Sequence, residues 1–225
     1  MRIAPLLIAL PLTALAQTGA SVTLLSDFRV RGISLSDERP SAQLDFAYDA
    51  PSGGYAGAAI SSVRLGENRQ DQGQVQGYLG YARALDAGLG WEVGATTIRY
   101  TNDSYYSYQE YFAGLNGEQW NARLYYAPAY YGFPIHAGYA ELNRNLPLSE
   151  HTRLVLHAGV LTRVGHSEYA GTGPVRLDGR LGVSTTLDQW ELQLAWVGTN
   201  HIAGPYAPVY VRNRSAAVIT ASCFF

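Results

Sequence analysis

The sequence predicts an all-β protein, namely a transmembrane antiparallel up-and-down β-barrel of about twelve strands. Three observations lead to this prediction. Apolar and polar residues alternate along most of the chain, as they do in strands that have one apolar face. The connections between these segments alternate between short turns and longer loops. The chain ends on an alternating apolar face that is closed by a terminal phenylalanine.

The composition excludes several other classes of protein. The chain has 225 residues, of which 15% are charged and 12% aromatic, and Lys+Arg number 16 against 18 Asp+Glu. Low charge with many aromatic residues is opposite to the signature of disorder, and a near-neutral balance provides no basic stripe for nucleic acid. Cys223 is the single cysteine of the sequence, so neither an internal disulfide nor a CxxC motif can form.

The N-terminal residues have the form of a secretory signal peptide. Arg2 is the only charged residue before Asp27, and the apolar run after Arg2 leads to Ala14-Leu15-Ala16, which has the A-x-A form of a cleavage site. The run is shorter than the ~20 apolar residues that a membrane-spanning helix needs. We therefore expect residues 1–16 to be removed and residues 17–225 to form one barrel domain.

Two-faced segments recur along the rest of the chain. In the first of them, residues 21–31, Phe28 and Val30 share the apolar face, and the polar face ends in Asp27, Arg29 and Arg31. Similar segments follow at residues 41–49, 89–96, 175–184 and 189–196. The helical spacing i, i+3, i+4, i+7 fits these windows poorly, so we interpret each of them as a strand.

The connections give the number of strands and their layout. Short turns are expected at residues 51–54, 85–88, 116–119 and 186–188, with a longer turn at 143–151. Longer loops are expected at residues 32–40, 64–73, 101–107, 127–133, 164–174 and 199–206. These eleven connections separate twelve strands. Outer-membrane barrels have this layout, with short turns and both termini in the periplasm and longer loops outside the cell.

Alternation alone does not say whether the apolar face points toward lipid or toward a dry core, so a soluble barrel or a β-sandwich stays an alternative. Aromatic residues near the expected strand ends favour a membrane barrel, because such rings form girdles at the level of the headgroups. The residues assigned to these girdles are Tyr100, Tyr105, Tyr106, Tyr108, Tyr125, Tyr126, Tyr130, Tyr131, Trp190, Trp196, Tyr206 and Tyr210.

The C-terminal residues also indicate the outer membrane. Ala217, Ile219, Ala221, Cys223 and Phe225 occupy one face of the last expected strand. This ending resembles the signal by which the barrel assembly machinery recognises its substrates. Expected partners are therefore that machinery, through Phe225, together with outer-membrane lipid and lipopolysaccharide.

Several blocks of the sequence are similar to those of a known family. The blocks are Ser26-Asp27-Phe28-Arg29-Val30-Arg31-Gly32-Ile33-Ser34-Leu35-Ser36-Asp37, then Pro40, Gln43, Gly54-Tyr55-Ala56-Gly57, Tyr78-Leu79-Gly80-Tyr81, Tyr108-x-Glu110-Tyr111, Tyr125-Tyr126-Ala127-Pro128 and Leu146-Pro147-Leu148. In these blocks the chain resembles the TorF family of porins, proteobacterial proteins long described as conserved and of unknown function. The resemblance implies a small outer-membrane barrel that forms a channel, and it implies no particular substrate.

The face assignment predicts which side chains line the lumen. If Phe28 and Val30 face lipid, then Asp27, Arg29 and Arg31 point inward, because one Arg on the lipid face at the bilayer midplane costs ~2–4 kcal/mol. The predicted lining is Asp27, Arg29, Arg31, Glu92, Glu110, Arg123, Arg153, His157, Arg163, Arg176, Asp178, Arg180 and Glu191. Most of these arginines are expected to pair with carboxylates on neighbouring strands. The arginines expected to stay unpaired are Arg29, Arg31, Arg153 and Arg180.

The function predicted from these features is a porin-like channel for passive diffusion of small hydrophilic solutes. Unpaired arginines would give the channel a weak preference for anions. An outer-membrane lipid hydrolase or deacylase is one alternative, but His166-Ser167-Glu168 lie too close in sequence to converge on one substrate atom, and His157 is a lone candidate. A barrel that conducts nothing is the other alternative. No catalytic residue, metal site or cofactor is expected.

Overall fold

Twelve antiparallel strands close into a barrel in this computed structural model, which describes residues 17–65, 70–85, 88–165, 175–200 and 213–225. The barrel strands are β1 (Gln17–Leu25), β4 (Ser41–Asp49), β5 (Gly54–Leu65), β6 (Gln70–Ala84), β7 (Gly90–Tyr100), β8 (Tyr108–Asn116), β9 (Trp120–Ala127), β10 (Ala137–Pro147), β11 (Thr152–Arg163), β12 (Arg176–Leu187), β13 (Trp190–Thr199) and β14 (Ser215–Phe224). The expected strand count and all-β class are confirmed. Two further strands, β2 (Arg29–Val30) and β3 (Ile33–Ser34), form a separate hairpin.

Each barrel strand pairs with its neighbour in sequence, and β1 closes the barrel against β14 with Ser21 opposite Phe224. Short turns join the strands at residues 50–53, 117–119, 148–151 and 188–189, and residues 85 and 88–89 lie between β6 and β7. All of these lie on the side of Gln17 and Phe225, and we call this side the turn end. The other side, which holds residues 26–40, 101–107 and 128–136, is the loop end. The expected signal peptide, residues 1–16, lies outside the described residues.

The apolar face of the strands points out of the barrel. On β13, Leu194 and Trp196 are each 58% exposed, whereas Glu191 and Gln193 point inward. Leu24 on β1 follows the same rule, and the apolar surface continues around the barrel. A continuous apolar belt of this kind is far larger than the patches that soluble monomers expose. The outer surface therefore suits contact with hydrocarbon.

The first expected strand is wrong beyond Leu25. Residues 26–40 leave the barrel wall and fold inward, where β2 and β3 are joined by Arg31 (φ 50°) and Gly32 (φ 77°), the two left-handed positions of a tight hairpin turn. A Cβ at Gly32 would lie 2.7 Å from the Gly198 carbonyl oxygen, so the hairpin tip touches the barrel wall at β13. Phe28 and Val30 consequently pack against a buried core instead of lipid.

That core consists of aromatic and aliphatic side chains at the loop end. It includes Leu35 from the inward segment and Tyr108 from β8, together with Tyr130 and Tyr131 from the loop between β9 and β10. Tyr131 (φ 50°) and the following glycine take left-handed conformations that turn this loop into the barrel. The rings of Tyr108 and Tyr131 have centroids 4.8 Å apart. We call this cluster together with residues 26–40 the plug.

The aromatic girdle is therefore only partly as expected. Trp190, Trp196 and Tyr126 are exposed on the outer face, and Tyr105 is exposed at the loop end. In contrast, the rings buried inside the barrel are Tyr100, Tyr108, Tyr130 and Tyr131, with Tyr106 and Tyr125 packed against them. Tyr206 and Tyr210 lie outside the described residues.

None of the helices described, which are single turns at Ser104–Tyr106 and Tyr130–Gly132, is long and apolar enough to span a membrane.

Candidate functional site

A cavity of about 860 Å³ lies between the plug and the turn end of the barrel. Arg31 and Glu110 line it on the plug side, and Leu89 and Gly117 line it at the turn end. A second cavity of about 230 Å³ lies against the strands around β14. Arg29, Arg180 and Val197 line both cavities, which places these three residues at the boundary between them.

The base of the hairpin is held by the carboxylate of Asp27. This group accepts hydrogen bonds from Ser34 Oγ at 2.5 Å and Ser36 Oγ at 3.1 Å, and it pairs with Arg29 Nε at 2.6 Å. Arg29 Nη1 also donates to the Gly32 carbonyl at 3.1 Å. Asp27 and Arg29 are buried, and their charges compensate each other within the segment.

Arg31, at the tip of the hairpin, crosses the lumen to the opposite wall. Its two terminal nitrogens each donate to one oxygen of Glu110 on β8, both at 2.8 Å, and the side chains are 8% and 7% exposed. The guanidinium carbon also lies 4.0 Å from the ring centroid of Tyr139 on β10. A paired guanidinium and carboxylate with this geometry form a directional latch. The latch joins the plug to the barrel wall.

A second compensated pair lies on the wall of the larger cavity. Arg123 Nε on β9 donates to Glu92 on β7 at 2.7 Å, and the Glu92 side chain is fully buried. The same carboxylate accepts hydrogen bonds from Tyr55 Oη at 2.7 Å and from Asn116 Nδ2 at 3.2 Å. Three side chains from three other strands thus meet around one carboxylate, which fixes this part of the wall.

His157 belongs to a third cluster, on β10, β11 and β12. Its Nε2 lies 2.8 Å from Asp178 Oδ1 and its Nδ1 lies 2.7 Å from Asn143 Oδ1. Tyr139 Oη donates to the same Asp178 oxygen at 3.1 Å. None of the hydrogen bonds found at His157 in the described part of the chain involves a serine, threonine or cysteine. The cluster has the character of a structural network of polar groups that faces the cavity.

The remaining predicted lining residues occupy different places. Arg153 pairs with Glu191 at 2.6 Å near the turn end. Arg163 lies half-buried at the loop end of β11, and Arg176 is buried at the loop end of β12, 3.5 Å from Tyr130 Oη. The three arginines Arg153, Arg163 and Arg176 line neither cavity in the described part of the chain.

Of the four arginines expected to be unpaired, Arg29, Arg31 and Arg153 are ion-paired. Arg180 is different, because no ion pair to it is found among the described residues and its Nε is buried without a hydrogen-bond partner. The contrast arises because Arg180 stands opposite Val197 on one side and His157 on the other, and the nearest acidic side chain on its own strand, Asp178, is bonded to His157.

Sequence reasoning missed three residues of this region. Tyr139 and Tyr55 had no role assigned, and neither did Glu141, which lines the cavity and accepts a hydrogen bond from Tyr125 Oη at 3.2 Å. The two-residue alternation of β10 places Tyr139 and Glu141 on the same face as Asn143, so the period could have revealed them. The residues His166, Ser167 and Glu168, which were weighed as a catalytic set, lie outside the described residues.

Comparison with solved structures finds outer-membrane porins of the same fold. The NanC porin superposes with a TM-score of 0.58 at 9% sequence identity, over 93% of this chain and 100% of that chain. The KdgM porin superposes with a TM-score of 0.56 at 8% identity, over 92% of this chain and 99% of that chain. At such low identity the likeness concerns the fold. A search of curated proteins found no match to the sequence.

The family to which the chain belongs follows from its sequence. The resemblance to the TorF porins agrees with these findings in the type of barrel, while the TorF name itself stays a prediction. The model of the family described as bacterial protein of unknown function (Gcw_chp) matches residues 13–224, almost the entire chain, and the chain therefore belongs to the Gcw_chp family.

Proposed function

We propose that the protein is an outer-membrane channel for passive diffusion of small hydrophilic solutes. The observation that carries this proposal is the contrast between the two faces of one barrel. The outer face is apolar, with residues such as Leu24 and Leu194 each 58% exposed, whereas the interior holds a cavity of about 860 Å³ whose lining includes many charged and polar side chains. Lipid and lipopolysaccharide would surround the barrel, with the turn end in the periplasm.

The size of the cavity supports small solutes. Barrels of about eight strands are filled by side chains and barrels of ~16–18 strands hold an open aqueous channel, so a barrel of twelve strands is intermediate. A volume of about 860 Å³ lies within the range of ~300–1,000 Å³ that pockets for small molecules occupy. Passage from one side to the other requires the plug to move, because its hairpin crosses the lumen from Gly198 to Glu110.

The expected preference for anions is supported by fewer unpaired arginines than the sequence predicted. Three of the four arginines assigned to it are paired with carboxylates, which leaves Arg180 as its main support. The KdgM porin, which has the same fold, has been solved in complex with disordered oligogalacturonate, at a TM-score of 0.52 and 7% identity. We propose a weak anion preference for this channel.

Single-channel recording tests the proposal. The full chain would be refolded, its folded state verified by heat-modifiable migration in detergent gels, and then added to a planar bilayer. We expect discrete opening events and, in a KCl gradient, a reversal potential of small magnitude with the sign of anion preference. A silent barrel would contradict the channel and favour the structural alternative, and a clear preference for cations would contradict the selectivity.

The lipid hydrolase alternative has less support. Its best candidate, His157, lines the internal cavity, whereas a lipid substrate would lie against the outer face. The two ring nitrogens of His157 are engaged by Asn143 and Asp178. We therefore propose that the protein has no catalytic residues. Release of fatty acid from labelled outer-membrane lipid by the refolded barrel would overturn this part of the proposal.

A further inference from the structure

Buried polar atoms without partners are concentrated where the hairpin meets β12. Among the described residues, the donors Arg29 Nη2 and Arg180 Nε and the acceptor Asp178 Oδ2 are buried there and have no hydrogen-bond partner. Proteins seldom leave a buried donor unsatisfied, because such a group has lost its hydrogen bonds to water without replacement. Two orphan guanidinium nitrogens in one region therefore point to an acceptor that binds between them.

The two arginines are brought together by the hairpin tip. Arg29 Nη1 donates to the Gly32 carbonyl at 3.1 Å, and a Cβ at Gly32 would lie 3.1 Å from the Cβ of Asp178, two residues before Arg180 on the same face of β12. Arg29 and Arg180 both line the larger and the smaller cavity. A small solute at this boundary could therefore contact both guanidinium groups.

The local charge determines which solute fits. Arg29 is compensated by Asp27 at 2.6 Å, with Glu38 as a more distant second partner at 3.9 Å. Asp178 Oδ1 lies 2.8 Å from His157 Nε2, and no ion pair to Arg180 is found among the described residues. The two donors without partners both belong to guanidinium groups, so they match an acceptor that carries negative charge.

We propose that Arg180 and Arg29 form a binding subsite for the carboxylate of a small solute. A carboxylate has two coplanar oxygens, so one oxygen can accept from Arg180 Nε while the other accepts from Arg29 Nη2. The smaller cavity of about 230 Å³ offers space for a short organic tail beside Gln193, Thr220 and Ser222. This subsite rests on the proposed channel function and specifies the class of solute.

Equilibrium binding tests the subsite without requiring conduction. The refolded full chain in detergent micelles would be titrated calorimetrically with sodium acetate and, separately, with inorganic phosphate. We expect acetate to bind more tightly than phosphate, and Arg180→Gln to weaken acetate binding at least tenfold. Arg180→Lys keeps the charge and loses the planar fork, so it should give an intermediate affinity. Arg144→Gln removes the same charge from the exposed outer face of β10 and should leave acetate affinity unchanged.

The outcomes separate the subsite from the channel. Acetate binding that depends on Arg180 in a barrel that does not conduct would support the subsite and contradict the channel. Acetate affinity equal in wild type and in folded Arg180→Gln, or phosphate binding as tight as acetate binding, would overturn the subsite even if the barrel conducts. Heat-modifiable migration of each variant verifies that it is folded before titration.

Discussion

The latch between Arg31 and Glu110 predicts that one conservative substitution opens the channel. In Glu110→Gln the shape of the side chain is kept, but the guanidinium of Arg31 loses its charged partner inside the barrel, where the two side chains are 8% and 7% exposed. Removing one partner of a buried ion pair costs about 3–5 kcal/mol, because the other charge stays buried and uncompensated. When the plug leaves the lumen, water solvates Arg31, so this cost falls on the closed state alone.

The expected change in open probability follows from that cost. At about 1.4 kcal/mol per factor of ten, a loss of 3 kcal/mol corresponds to a change of roughly a hundredfold in the ratio of open to closed plug. Single-channel recording of refolded Glu110→Gln should therefore show longer or larger openings than the wild type. The Arg31→Gln variant should behave in the same way, since it leaves Glu110 buried without its partner.

An exposed ion pair provides the matched control. Arg64 and Asp71, on neighbouring strands β5 and β6, form the same type of guanidinium–carboxylate pair, but the Asp71 side chain is 78% exposed. Exposed pairs contribute little because water and salt screen them. Arg64→Gln should therefore leave the open probability unchanged. If folded Glu110→Gln has the same open probability as the wild type and as Arg64→Gln, the latch does not hold the plug closed.

Three further predictions concern the wall and the assembly of the barrel. Leu194→Arg, in the middle of β13 on the outer face, should lower the free energy of unfolding by about 2–4 kcal/mol in reversible denaturation from lipid vesicles. Gln193→Arg places the same charge in the lumen and should lower the free energy of unfolding by less. Equal losses in the two variants would contradict the face assignment. In Gly94→Ala the new Cβ would lie 2.4 Å from Phe112 Cζ and 2.5 Å from the Leu79 carbonyl oxygen, so we expect the free energy of unfolding to fall by about 1–3 kcal/mol in the same assay. Gly77→Ala is the control, because its Cβ would have an ordinary contact of 3.5 Å, and it should have little effect. A neutral Gly94→Ala would refute this close packing. The Phe225 side chain is 65% exposed, so Phe225→Ala should leave refolding in detergent unchanged. In expressing cells, the same variant should lower the amount of folded barrel in the outer membrane. Unchanged assembly in cells would contradict the role of Phe225 as a signal.

The sequence was sufficient to predict the strands and their two faces, because side chains on a strand alternate every two residues. The aromatic residues and the C-terminal strand then favoured lipid outside the barrel. Leu192 and Leu194 alternate with Glu191 and Gln193 along β13, and the structure places the first pair outside and the second inside. The number of strands followed from the connections, since turn residues such as Gly53 tolerate backbone angles that strands do not. These are local properties, and local residues are enough to specify them.

Only the tertiary structure decided what fills the lumen. Asp27, Phe28, Arg29 and Val30 alternate in polarity as a barrel strand would, yet they belong to a hairpin inside the barrel. The alternation is equally satisfied by lipid outside and by an aromatic core inside, so the pattern cannot distinguish the two locations. The pairing of Arg31 with Glu110, 79 positions away in sequence, and the absence of an ion pair at Arg180 among the described residues depend on which strands face each other across the barrel. Distances across a closed barrel are set by the register of all its strands together, and no single segment contains that information.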